Sequence, residues 1–90
     1  MNKTTRTAIS KIVSQLEELR GKLEDLKSEV ETFKDEEQEK FENLTEGLQQ
    51  ADSGQTIEAA GTALEEAVGA FEEIDSAFDT IFSSLETAVE

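Results

Sequence analysis

The 90 residues include 22 acidic and 8 basic side chains, for a formal net charge of -14, and 36% are hydrophobic. A chain this short supports one domain at most and is only marginally stable alone, so self-association or a partner is expected from the outset. The charge disfavours direct binding to nucleic acid or anionic lipid, and the lack of cysteine excludes disulfides, thiolate metal sites and thiol nucleophiles.

The opening residues Met1 to Arg6 carry charge, and no apolar stretch of signal-peptide or membrane-spanning length follows them. The expectation is a cytoplasmic chain with no membrane segment. From Ile9 onward, apolar residues fall at Ile9, Ile12, Leu16, Leu19, Leu23, Leu26, Val30 and Phe33 in unbroken steps of three and four. This is the a/d seam of a heptad-patterned helix. With Ile9 at position a, the e column reads Arg6, Val13, Arg20, Lys27 and Lys34, and the b column holds Glu17, Glu24 and Glu31. One flank of the seam is basic and the outer face is acidic.

Past Phe33 the strict pattern meets Glu37 and Lys40, and the apolar positions move to Phe41, Leu44 and Leu48. Helix 1 is expected over about residues 4–41. Asn43 with Glu46, and Asp52 with Gln55, have the spacing of capping boxes, and Gly47 and Gly54 offer a permissive backbone. Residues 42–54 form the connection in this reading, with a short helical turn at 44–50.

The second seam runs Ile57, Ala60, Leu64, Ala67, Phe71, Ile74, Phe78, Ile81, Leu85, Ala88 and predicts helix 2 over about residues 55–89. Its g column adds Ala63, Ala70 and Ala77, which lets a neighbouring backbone approach closely. Its e column adds Val68, Phe82 and Val89, widening the apolar face beyond what a two-stranded seam uses. At 1.5 Å per residue both helices are roughly 50 to 57 Å long. Matched lengths and a short connection predict an all-α antiparallel helical hairpin, a single domain over residues 1–90. A lone hairpin would leave Val68 and Phe82 half open, so the flank Val68, Phe82, Val89 is the candidate surface for association into a coiled-coil or four-helix bundle, with a homo-oligomer expected.

Charge divides along the chain. All eight basic residues lie in residues 1–40 beside ten acids, whereas residues 41–90 carry twelve acids and no Lys or Arg. The b column of helix 2 places Glu58, Glu65, Glu72, Asp79 and Glu86 one heptad apart, and Glu66, Glu73 and Asp75 join them in a candidate interaction ridge. Such a ridge can imitate the phosphate track of a nucleic acid, or it can simply keep an apolar hairpin in solution. Arg20, Lys27 and Lys34 are expected to pair with this ridge or with that of a second subunit.

Histidine, cysteine, tryptophan and tyrosine are all absent, and no Gly-X-Ser-X-Gly turn is present, so no catalytic residues are expected and the chain is not read as an enzyme. No metal or other cofactor is expected either. Adjacent acids such as Glu65-Glu66 diverge by about 100° on a helix and do not converge on one ion, and no calcium-loop motif occurs.

The stretch from Asp35 to Gln50, including Phe41-Glu42-Asn43-Leu44-Thr45-Glu46-Gly47-Leu48, resembles a motif in a group of small acidic helical proteins encoded by tailed bacteriophages and prophages. Thr45 stands where that motif carries proline. The resemblance covers about half the chain and implies a phage accessory protein in the host bacterial cytoplasm, without implying an activity. It also implies that Phe41, Leu44 and Leu48 dock the connection over one end of the hairpin, with Asn43 as a helix cap.

These readings converge on a non-catalytic protein–protein interaction module, acting through the apolar flank or the acidic ridge. An acidic inhibitor that mimics nucleic acid and blocks a host defence or nucleic-acid-handling enzyme is the alternative. A virion or scaffold component is the third.

Overall fold

A computed structural model describes all of residues 1–90. Two long helices, α1 (Lys3–Glu42) and α3 (Asp52–Val89), are joined through a single turn of helix, α2 (Glu46–Gln49). They pack antiparallel into a rod of 68 × 16 × 14 Å. This is the expected all-α hairpin, with α3 starting three residues earlier than the periodicity indicated.

The helix ends explain the boundaries. The Asn2 side chain caps α1 by accepting the Thr5 backbone N–H at 2.8 Å. At the other end Asn43 is the C-cap of α1, its backbone N–H donating to Glu39, and the Asn43 side chain does not begin a helix as the capping-box spacing suggested. The N-cap of α2 is Thr45, whose hydroxyl accepts the Leu48 N–H at 3.4 Å. Asp52 lies inside α3, and the N-cap there is Ala51, with no side-chain hydrogen bond.

Gln49 ties the connection together, its side-chain amide donating to the carbonyls of Phe41 at 3.0 Å and Leu44 at 3.3 Å. The Phe41 carbonyl, which already accepts the Leu44 backbone N–H, gains a second donor, and the Leu44 carbonyl just past α1 is bound as well. Phe41 and Leu44 are half-buried at this end, but Leu48 remains exposed. The docking expected of Leu48 falls instead to its polar neighbour.

Gly54 also acts differently from expectation. No glycine in the chain has a positive φ, so conformational freedom is not its role. A Cβ at Gly54 would run into the carbonyl oxygen of Leu48 and lie 2.6 Å from that of Gln49, so only hydrogen fits where α2 crosses the first turns of α3.

Little of this rod is interior. Four of 90 residues are buried, and Val68 (8% exposed) and Phe78 (5%) are the two apolar side chains among them. The accessible surface is 6520 Å², whereas a compact monomer of this mass exposes about 5200 Å².

Gly54→Ala is expected to destabilise the fold by about 1 to 3 kcal/mol, because the added methyl has only backbone to push against. Gly21→Ala and Gly69→Ala, where a Cβ meets nothing within 4 Å, are expected to stabilise by about 0.5 to 1 kcal/mol each. Thermal melting followed by circular dichroism separates the two classes; equal effects at all three glycines would refute the close approach at Gly54.

Candidate interaction surface

The seam that closes the hairpin is not the a/d seam. On α1 the half-buried residues are Ile9, Leu16, Leu23 and Val30 at a, and Val13, Arg20, Lys27 and Lys34 at e. On the C-terminal half of α3 Phe78 at a and Val68 at e are buried, Leu64, Phe71 and Leu85 at a and Asp75, Phe82 and Val89 at e are half-buried, and Ala67 is the one d residue that joins them. The d and e positions lie about 100° apart, on opposite sides of a. Packing through a and e therefore turns d away from the partner helix. In an antiparallel pair both d columns turn to the same side, giving the hairpin an e side and a d side.

Arg20 holds the e side closed. Its Nε donates to Asp75 Oδ1 at 2.7 Å and its Nη2 to Asp75 Oδ2 at 3.0 Å, a two-pronged pairing, while Nη1 lies 3.0 Å from Asp79 Oδ1. The guanidinium carbon sits 5.9 Å from the ring centres of both Phe78 and Phe82, which stack on each other at 6.0 Å. Lys27 reaches Glu72 of α3 and Glu31 of its own helix, each at 3.7 Å. Lys34 turns to Asp35 beside it. Pairing between the basic column and the ridge thus occurs for Arg20 and Lys27 within one chain.

The hydrogen bonds from Arg20 hold the Asp75 carboxyl below the usual carboxylate range, and Asp75 and Asp79 raise Arg20 further above its already high value. The sign follows directly. A carboxylate depressed on folding contributes stability that is present above its unfolded pKa, about 3.9, and is lost as the pH falls through the depressed value.

The expected association flank is placed differently. Val68 is buried against α1 within the single chain, and Phe82 and Val89 are half-buried beside Ile9 and Val13, where they line an open cleft of about 500 Å³ at the chain-terminal end. These e residues face the intramolecular seam because the basic column of α1 lies over them.

The d side is open instead. Ile12, Leu19, Leu26 and Phe33 on α1 and Ile74 and Ile81 on α3 are each between 41 and 56% exposed. In the antiparallel register they alternate along one face. Together they leave on the order of 600 Å² of apolar surface in water, at the top of the range for the largest patch on a monomeric protein. Sequence periodicity marked all six as seam residues; that half the seam has no partner in the chain was legible only by asking which of d or e the basic column would displace.

The acidic ridge is in water as expected: Glu58, Glu65, Glu66, Glu72, Glu73, Asp79 and Glu86 are exposed, and Asp75 is half-buried under Arg20. No three carboxylates converge so as to hold a metal ion, and no helix is long and apolar enough to cross a membrane. No protein-family model, curated protein or solved structure matches the chain.

Arg20→Gln is expected to return the Asp75 carboxyl toward about 3.9, read from its side-chain carboxyl carbon shift in an NMR titration. Arg20→Lys keeps the charge but loses the fork and the stacking, so it should lower the melting temperature while leaving the net charge unchanged. An Asp75 that titrates identically in wild type and Arg20→Gln would show that the clasp does not form.

Proposed function

We propose that this chain is a non-catalytic protein–protein interaction module whose working surface is the d side of the hairpin. The observation that supports it is the row of six half-exposed large apolar side chains on one face, at helical spacing, in a chain with almost no interior of its own. An amphipathic helical face of this kind is read by another helix, through anchors repeating every three or four residues. The resemblance of residues 35–50 to phage-encoded proteins adds a setting: an accessory role in a bacterial cytoplasm.

A second reading has its own observation. Seven carboxylates of the ridge stand in water along α3, which has no basic residue of its own. Glu58, Glu65 and Glu86, at about 10.5 Å per heptad, could sit in the basic groove of a nucleic-acid-handling enzyme. Against it, Arg20 and Lys27 already neutralise the middle of the ridge at Asp75, Asp79 and Glu72.

The two readings separate in a retention experiment with tagged protein as bait in a bacterial lysate to which untagged chain is added. Leu26→Glu with Phe33→Glu is expected to abolish retention of untagged or foreign chains. Glu65, Glu66, Glu72 and Glu73 changed together to Gln should leave retention intact, as should raised salt. The reverse pattern would establish the acidic mimic and overturn the d-side reading.

A further inference from the structure

The d side raises the question of what covers it, and its shape and charge answer with a chain of the same kind. We infer that the occupant is a second copy, packed face to face so that α1 of each copy lies across α3 of the other in an antiparallel four-helix bundle. This rests on the d side being the interaction surface and deepens that reading by naming the partner.

Charge is the first argument. The chain carries -14 overall, so most ways of bringing two copies together are repulsive. The d and g columns, which make up the d side and its rim, hold Lys22, Lys40, Glu29 and Glu36 on α1 and no charged residue on α3. That face is neutral. A strongly acidic protein therefore presents one long surface on which a copy of itself meets no net repulsion, and a partner selected by opposite charge would find nothing there to recognise.

Size is the second. Arg20 against Asp75, Lys27 against Glu72 and Gln38 against Gly61 fix the register of the hairpin. In that register Phe33 is level with the turn between Ala63 and Ala67, Leu26 with that between Ala70 and Ile74, Leu19 with that between Ala77 and Ile81, and Ile12 with that between Ser84 and Ala88. Each large side chain on α1 thus has a small residue of the α3 rim on one side, with Leu26 and Leu19 having an isoleucine of the d column on the other. A two-fold axis parallel to the rod keeps every height and sets α1 of one copy over α3 of the other, so each large residue enters a gap beside a small one, as knobs enter holes. Phe33, the most exposed of the six, falls where Ala60, Ala63 and Ala67 leave the widest gap. The other face-to-face two-fold, perpendicular to the rod, sets α1 on α1 and opposes large residues to large.

Area is the third. The six d residues and the exposed alanines beside them offer roughly 800 Å², which is what each partner contributes to an interface of standard size. The surface of 6520 Å² exceeds that of a compact monomer by about 1300 Å², so the hairpin has this area to give up.

Light scattering and sedimentation on the purified full chain test the pairing. The wild type is expected at twice 9.9 kDa at tens of micromolar, with Leu26→Glu and Phe33→Glu each weakening association at least ~100-fold, while Ser14→Glu on the outer face of α1 leaves the mass unchanged. If the glutamate variants lose their helical circular dichroism, cysteine pairs placed on the otherwise unaltered face decide. The chain has no cysteine, so Leu26→Cys on one copy and Ala70→Cys on another report alone. A mixed disulfide between these two single variants is expected on oxidation; cross-linking of Leu26→Cys only to itself would overturn the arrangement. A wild type that stays a single copy at millimolar concentration overturns the second copy as occupant. In that case, retention of a foreign protein that Leu26→Glu abolishes would leave the interaction reading standing; a wild-type dimer indifferent to both glutamates would instead sink both readings.

Discussion

The rotation of the two helices about their own axes is set by one side chain, Arg20. A guanidinium needs acceptors and tolerates apolar surroundings only along its stem and faces. On α3 it finds both together: Asp75 and Asp79 one helical turn apart, with Phe78 and Phe82 a turn apart beneath them. Reaching that combination requires the e column of α1 to face the e column of α3. Lys27 and Lys34 follow, with side chains only 19% and 23% exposed, so their methylenes cover the a residues where d residues would otherwise sit. The basic column is thus part of the apolar seam through its stems and part of the electrostatics through its heads.

Once e occupies the seam, d cannot. This is geometry rather than preference, since one helix can present only about a third of its circumference to a single neighbour. The price of the clasp is that Leu19, Leu26, Ile74 and Ile81, the residues best suited to burial, remain half in water. The backbone does not compensate with stray bonding: 69 of 77 backbone hydrogen bonds lie inside the helices, and the rest belong to caps and turns. Helices of this length are held up internally, but their mutual packing is thin, with layers of two or three side chains and no centre.

Much of this was legible in the residue pattern. The two seams, the antiparallel hairpin and the short helical turn between them follow from the three-four spacing and from where it lapses after Phe33. The pairing of Arg20 and Lys27 with acids of helix 2 follows from their shared columns. Spacing alone misplaces the caps, by two residues at Asn43 and by one at Asp52, because it is Thr45 and Ala51 that have the extended backbone a cap requires. The inward placement of Val68, Phe82 and Val89 has a deeper reason. Val68, Phe82 and Val89 look surplus when the seam is assumed to be a and d, since periodicity records which residues are apolar without recording which two columns a pair of helices will choose. Long basic side chains opposite an Asp and two Phe were the signal for e.

The distribution of acids on α3 carries information that solubility alone does not explain. Nine carboxylates fall in this helix, and they occupy the b and c columns and, at Asp75, the e column. Placed without regard to face, roughly two or three of them would fall in the d and g columns, which span two sevenths of the circumference. None does. The d column is spared because its residues belong to the apolar seam, but the g column is alanine at Ala63, Ala70 and Ala77, exposed and free to carry charge as far as the hairpin is concerned. The f column is also free of acids, at Thr62, Gly69, Ser76 and Ser83, so the charge is gathered on b and c; g differs from f in being alanine along its middle, narrow and apolar, as the proposed second copy beside Leu26 and Phe33 requires. The carboxylates crowd onto b and c, where they keep the rod in solution, and Asp75 and Asp79 supply Arg20 with its acceptors.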